Sequence, residues 1–574
     1  MSRKPFRVRG LVPAALVVLV GLSVPLGAPA QSTAQDTEST VIKGQIAPRL
    51  MNVGNLKHPI TTRSARAQIF FNQGFNLAFG FNHAEAFRAF QESARLDPEC
   101  AMCYWGMALV LGPNINMPMP PEAEPQAYTL LQKALALKGN ASEKEQGYIE
   151  ALAARYSGRP EDRQARDRAY ADAMRRLHQR YPDDLDIATL FAESLMDLRP
   201  WNYWTRDWQP YPETLEILRL LESVLTRNPN HIGAIHYYIH SVELPKPYLA
   251  EAAAERLVGL APAAGHLVHM PSHIFRRLGR YADASQSNEL AILADEDYIA
   301  QCRAQGIYPL GYYPHNIHFL WDSASMEGRS RVALDAARKV GSKVTPEMLR
   351  EMPILNTFAV VPLFSHIRFG QWDALLAEPK PAADFVYLTG VWHYARGLAY
   401  LGTDQPLKAA AELEALKGIA AGDSIQKEQV WSANKPAILL QIATEVLAGE
   451  LAASQGDYEK AITHLLWGVL LEDSLEYIEP PDWPVPVRQS LGVVLLEAGR
   501  PQEAEVVYWE DLKRNPENGW SLFGLMQALR AQGKEEEAAA VGKRFERAWA
   551  RADFKLTSSR ILAPVRTTVS TSAR

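Results

Sequence analysis

Only three cysteines occur among the 574 residues, Cys100, Cys103 and Cys302, too few for a disulfide framework. Positive charge is not in surplus either, with 60 Lys and Arg against 65 Asp and Glu. Binding to nucleic acid rests on neutralising phosphates, so no nucleic-acid partner is expected. The same deficit argues against an anionic membrane surface. After the first thirty residues no run reaches the roughly 18 apolar residues that a membrane span needs, so none is expected. There is no G-x-S-x-G elbow, no phosphate-binding glycine loop and no H-E-x-x-H, which removes the common hydrolase and nucleotide signatures.

What is present begins with an export signal. Arg3, Lys4, Arg7 and Arg9 precede a mostly apolar stretch from Leu11 to Leu26, and Ala28-Pro29-Ala30 ends in a small-residue cleavage pattern. Residues 1–30 therefore read as a Sec-type signal peptide, and a periplasmic or secreted location is expected. Its removal leaves 56 basic against 65 acidic residues, a charge of −9. Residues 31–63 and 556–574 are rich in Ser, Thr and Ala without periodicity, so both are expected to be flexible.

Between them, residues 64–555 repeat one pattern. Residues 67–98 carry Gly74, Ala86, Phe90 and Pro98, close to the spacing of a 34-residue helix–turn–helix unit. GRYADA at Gly279, GDYEKA at Gly456, GRPQEA at Gly499 and GKEEEA at Gly533 repeat its punctuation. In each, glycine ends one helix, polar residues turn, and alanine opens the next where the two backbones come closest. Prolines such as Pro98, Pro229, Pro262 and Pro516 then stop the second helix. The pattern resembles the tetratricopeptide repeat (TPR) family over nearly the whole chain, loosest between about 110 and 230. The segments CAMCYWG, GPNIN, HMPSH and PPDWPVPVRQSLG also resemble a group of exported bacterial TPR proteins. The likeness implies a fold, an all-α right-handed solenoid of more than twenty helices, and no reaction.

Seven of the fourteen histidines fall between His236 and His318, far more than even spacing would place there. In TPR arrays, the resemblance implies, the second, fifth and ninth places of each first helix line a concave groove. Turns at Gly279 and Gly328 put His266, His269 and His273, then His315, His318 and Asp322, at those places. The preceding unit offers His236, His240 and Glu243, and the three units together span residues 231–340. Residues three, four and seven apart share a helical face, and neighbouring helices lie about 8–10 Å apart. Imidazoles from several helices can thus meet at one metal ion or two, and a nitrogen-rich set favours zinc or copper. Tyr237, Tyr312, Tyr313 and Trp321 are expected to wall the groove, and Arg276 and Arg277 to receive an acidic substrate group. Two other readings stand beside the metal: a metal-free groove for a peptide, envelope protein or small molecule, and simple packing.

Pro271 falls between His269 and His273, where it either kinks one helix or starts a new one after a loop. Cys100 and Cys103 read as a disulfide or two buried thiols, with a copper(I) site as the alternative. Asn114-Ile115-Asn116 reads as a self-bonded loop and residues 480–486 as a rigid connector.

Overall fold

Glycine at a turn is required only where the backbone enters the left-handed region, and the repeat glycines do so. Gly279, Gly328, Gly456, Gly499 and Gly533 have φ between 72° and 78°, which any side chain would strain. The alanines that open the following helices, Ala284, Ala333, Ala461, Ala504 and Ala538, are at most 1% exposed. They sit where paired helices touch. At the matching crossing in the first unit, a Cβ on Gly74 would meet the Phe90 ring at 2.9 Å. Pro98, Pro229 and Pro516 each fall two residues past a helix end, at Leu96, Arg227 and Arg514.

The computed structural model describes residues 44–562 apart from 303, 305 and 306. The expected signal, residues 1–30, lies outside the described residues, as do 31–43 and 563–574. Among the described residues there are 27 α-helices and no strand, only isolated bridges at Asn114–Met117 and Trp204–Pro210. Successive helices pair: Ala65–Phe79 with His83–Leu96, Tyr313–Met326 with Ser330–Gly341, Pro436–Ser454 with Tyr458–Asp473. The chain is an all-α, TPR-like solenoid.

Its last units fold back on its middle. Trp520 donates from Nε1 to the Ser325 carbonyl at 2.9 Å, and Asp553 accepts from the backbone nitrogens of Ser330 and Arg331. Gly279 lies so close to Pro516 that a Cβ would come within 2.4 Å of its carbonyl oxygen. This closure brings C-terminal segments over the histidine-bearing helices.

Three expectations need correction. Residues 44–63 are ordered: they run along the Ala65–Phe79 helix, whose Gln68, Asn72, Gln73 and Asn76 accept from Ile60, His58, Leu50 and Leu56. Side-chain amides replace the sheet partner that such an extended segment otherwise lacks. Residues 556–562 are also held, with Leu556 and Ser559 buried and Arg560 paired to Glu450 and Glu497. Pro436–Ser454 is long and apolar enough to cross a membrane, yet 72% of its 18-residue apolar window is buried inside the array, as in a core helix.

Candidate metal centre

The histidines sit on three first helices, Ile232–Val242, the pair Gly265–His269 and Pro271–Arg277, and Tyr313–Met326. Pro271 breaks the middle one into two helical pieces joined at Met270, a kink rather than a loop. Without an amide hydrogen Pro271 cannot bond the preceding turn, so the two pieces diverge. The kink sends His266 toward His236 and leaves His269 beside His273.

Six imidazoles then gather in two sets of three. His236, His240 and His266 form the first, His269, His273 and His315 the second, and in each set one ring nitrogen per residue lies within 4.8 Å of the others. The sets adjoin, with ring centroids 5.8 Å apart from His266 to His269 and 5.6 Å from His240 to His273. His236 Nε2 lies 3.2 Å from His240 Nε2, and His269 Nε2 lies 3.0 Å from His273 Nε2. Two nitrogens on one ion at about 2.0–2.1 Å stand ~3.3–3.4 Å apart at the tetrahedral angle, slightly wider than these two pairs.

The outer nitrogens fix the tautomers. His236 Nδ1 donates to the Phe79 carbonyl at 2.5 Å, and His269 Nδ1 to Asn288 Oδ1 at 2.7 Å. Asn288 is itself oriented by donating to the Ala284 carbonyl. His273 Nδ1 faces two carboxylates, Glu243 at 3.1 Å and Glu479 at 3.2 Å. With its proton on Nδ1, His269 turns a bare Nε2 lone pair toward His273 Nε2. Outer partners of this kind orient metal-bound imidazoles. Among the described residues His266 has no hydrogen-bond partner at either nitrogen, although it is buried. An unpaired buried polar group costs about 1–3 kcal/mol, so something must satisfy it. These residues fit a nitrogen-bound transition metal.

Electrostatics agree. Burial holds His236, His266, His269 and His315 well below the usual imidazole range, hence neutral and able to ligate. Burial also pulls His273 down, but Glu243 and then Glu479 outweigh it and hold the ring up at about 9. In the metal-free chain His273 therefore carries the proton that separates its lone pair from that of His269, and an ion would displace it.

Not every expected residue joins. Asp322 pairs with Arg276 at 2.6 Å and leaves neither group for a metal or an acidic substrate. Arg277 lies outside the cavity described below, donating to the Leu244 carbonyl. Glu243 stands behind the rings, against His240 at 3.6 Å and His273. His318 is in neither set; it stacks on Trp321, with centroids 5.5 Å apart. Tyr313 turns away to donate to Glu296, and Tyr237 is buried beside Phe79 and Phe81. The Cys100 and Cys103 sulfurs are bonded to each other, which leaves no thiolate pair for copper(I), and Cys302 is buried.

A cavity of about 330 Å³ opens onto His240, His266, His273 and His315. Tyr312 is the one expected groove tyrosine on its wall, and His318 also reaches it. The rest of the wall comes from segments outside the repeat pattern: Ile115 and Asn116, Trp201, Trp431, and Tyr477 to Pro480. The loop at 114–116 and the connector near 480 thus shape the site as well as bonding or spacing themselves. Glu479 and Phe81 escape sequence reading entirely. Phe81 has φ 55°, occupying a left-handed position where later units place glycine, and its ring packs 4.4 Å from His236. Strain of that kind is characteristic of functional sites.

Two imidazoles outside the sets, half-buried His83 and buried His318, set an acid limit. Burial and the Arg155 guanidinium bring His83 down to about 4, and burial, outweighing the Asp322 carboxylate, does the same for His318. Both stay neutral in the fold while an unfolded chain takes up protons below about 6.5. The unfolded state then binds more protons, so this stability is present above about 6.5 and lost as pH falls toward 4. Metal-stripped protein should lose thermal stability between those limits, by about 1.4 kcal/mol per histidine for each pH unit crossed, and His318→Phe should lose less. Equal losses in the two proteins would contradict the assignment.

No protein-family model and no curated protein matches the chain. Among solved structures it is similar to a human IFIT1 dimer with m7Gppp-AAAA, at 14% identity over 86% of this chain and 91% of that one, TM-score 0.30. It is similar also to the Cut9 and Hcn1 hetero-tetramer of APC/C, at 14% identity over 84% and 76%, TM-score 0.30. Likeness at this level transfers no site and no ligand, and the centre stands on its own geometry.

Proposed function

We propose that the six imidazoles hold two transition-metal ions, zinc or copper, at the floor of a small-molecule cavity in an exported helical-repeat protein. The observation that carries this reading is the pairing of tied outer nitrogens with converging inner ones. Packing histidines spend both nitrogens on neighbours; here Phe79, Asn288, Glu243 and Glu479 take the outer side and leave the inner side to each other. Such ions would supply Lewis-acid activation of water or, for copper, electron exchange. The chain's own part is to orient His236, His269 and His273 through their outer nitrogens and to keep carboxylates behind the ligands. The Cys100–Cys103 disulfide supports an oxidising, exported location.

Protein purified from its native compartment should carry stoichiometric zinc or copper by elemental analysis, about two ions per chain as two three-histidine sets imply. Glu479→Gln should weaken the second set alone by about 10–100-fold in competitive chelator titration, because it loosens His273. Loss shared equally by both sets, or no loss, would count against the positioning role of Glu479.

A second reading has one observation in its favour. Leu466, Trp467 and Leu470 on one second helix, with Val506 and Trp509 on the next, are exposed apolar side chains suited to a protein partner. That surface is separate from the cavity, whose volume suits a small molecule better than an extended peptide.

A further inference from the structure

Five aromatic rings from five separate segments face the cavity: Trp201, Tyr312, Phe358, Trp431 and Tyr477. Tyr312 ends the π-helical turn Tyr308–Tyr312 and Phe358 lies on the short helix Asn356–Ala359, while Trp201, Trp431 and Tyr477 come from connecting segments. Aromatic walls reward a flat ring in offset or edge-on contact by about 0.5–1.5 kcal/mol per pair beyond burial. A cavity of about 150 Å³ suffices for benzene, so 330 Å³ admits one substituted ring or two fused ones.

The polar points are few and unspent. The hydroxyls of Tyr312 and Tyr477 and the amide oxygen of Asn116 are buried without a hydrogen-bond partner among the described residues. Tyr312 lies beside Asn116, and Tyr477 beside Glu479. Hydroxyls both donate and accept, so they match a hydroxyl or carbonyl substituent rather than a full charge. Among the described residues no lysine or arginine lines the space, and its one carboxylate, Glu479, already faces His273 and Arg277. An anion would find no side-chain cation there, and an ammonium ion would find no carboxylate that is not already engaged.

We infer that this cavity binds a small, flat, uncharged aromatic molecule bearing a hydroxyl or carbonyl group. The inference names the ligand class of the proposed site and rests on that reading for its purpose, but the binding itself needs no metal. It is therefore tested on metal-stripped protein by calorimetry with four probes: 4-methylphenol, cyclohexanol, 4-methylbenzoate and tetramethylammonium. We expect 4-methylphenol to bind saturably at one site, at least tenfold tighter than each of the others. Trp431→Ala should weaken it tenfold or more. Trp201→Ala, at a position 38% exposed and so tolerant of change, should weaken it severalfold, while Trp509→Ala on the outer surface should leave it unchanged. Absent binding, equal affinity for cyclohexanol, preference for a charged probe, or indifference to both cavity tryptophans would overturn the inference. Aromatic binding in protein that carries no native metal would overturn the metal reading alone; two bound ions without aromatic preference would overturn only this one.

Discussion

If each set holds one ion, His266→Ala should halve the metal content, from two ions per chain to one, and His315→Ala should do the same from the other side. Each removes one of three nitrogens from one set and leaves the other intact. Loss of a ligand should exceed the 10–100-fold penalty that loss of an outer partner carries. The double variant should bind neither ion under conditions that saturate the parent. His266 is the sharper probe, since neither of its nitrogens has a partner among the described residues. Removing it from the metal-free chain breaks no hydrogen bond and relieves an unsatisfied group, so stability should change little beyond the small cavity left. Chelator titration reads the affinities, and thermal unfolding of the stripped proteins reads the cost. If His266→Ala still bound two ions, or unfolded the stripped chain, the ring would be a packing residue.

The second large effect lies outside the centre. Trp520→Ala should destabilise the protein by about 3–5 kcal/mol, the range for deleting a fully buried large aromatic. Trp520 has no exposed surface, bonds the Ser325 carbonyl through Nε1, and stacks under the Arg368 guanidinium at 3.8 Å. Among the described residues Arg368 has no carboxylate within ion-pair distance, and burial lowers it to about 9. Without the ring this arginine keeps its hydrogen bond to Gln489 Oε1 but loses the aromatic face beneath it. Solenoid stability is a sum of nearest-neighbour terms, but Trp520 joins units far apart in sequence. Hydrogen exchange should therefore accelerate both in residues 519–531 and in the distant helix 313–326. Trp520→Phe, which keeps the ring and loses the bond, should recover most of the stability. Faster exchange confined to the C-terminal units would show that the closure carries no energy.

Local spacing made part of this molecule readable. The glycine turns and buried alanines repeat at fixed intervals, so each unit announces itself over some thirty residues. The same holds for the histidines, because i, i+3 and i+4 relations along one helix need no knowledge of the rest. The closure of the array left no such mark. Glu479 reaches His273 across more than two hundred residues, and Trp431 and Trp201 arrive from loops with no periodicity. Asp322 fitted the ligand phase yet pairs with Arg276, because phase fixes the helix face and not which neighbour lies there. Phe81 hides for a different reason. Its turn holds Gly80 one place early, so the strained residue reads as ordinary core. The extended segment 44–63 has the composition of a tail and is ordered by the amides of the next helix.

Anomalous diffraction at the absorption edge of the resident metal tests the central claim most directly. The account predicts two peaks, one bound by His236, His240 and His266 and one by His269, His273 and His315, each at about 2.0–2.1 Å from three ring nitrogens. A crystal of natively purified protein with no peak there, its imidazoles hydrogen-bonded to one another or to water, would contradict it.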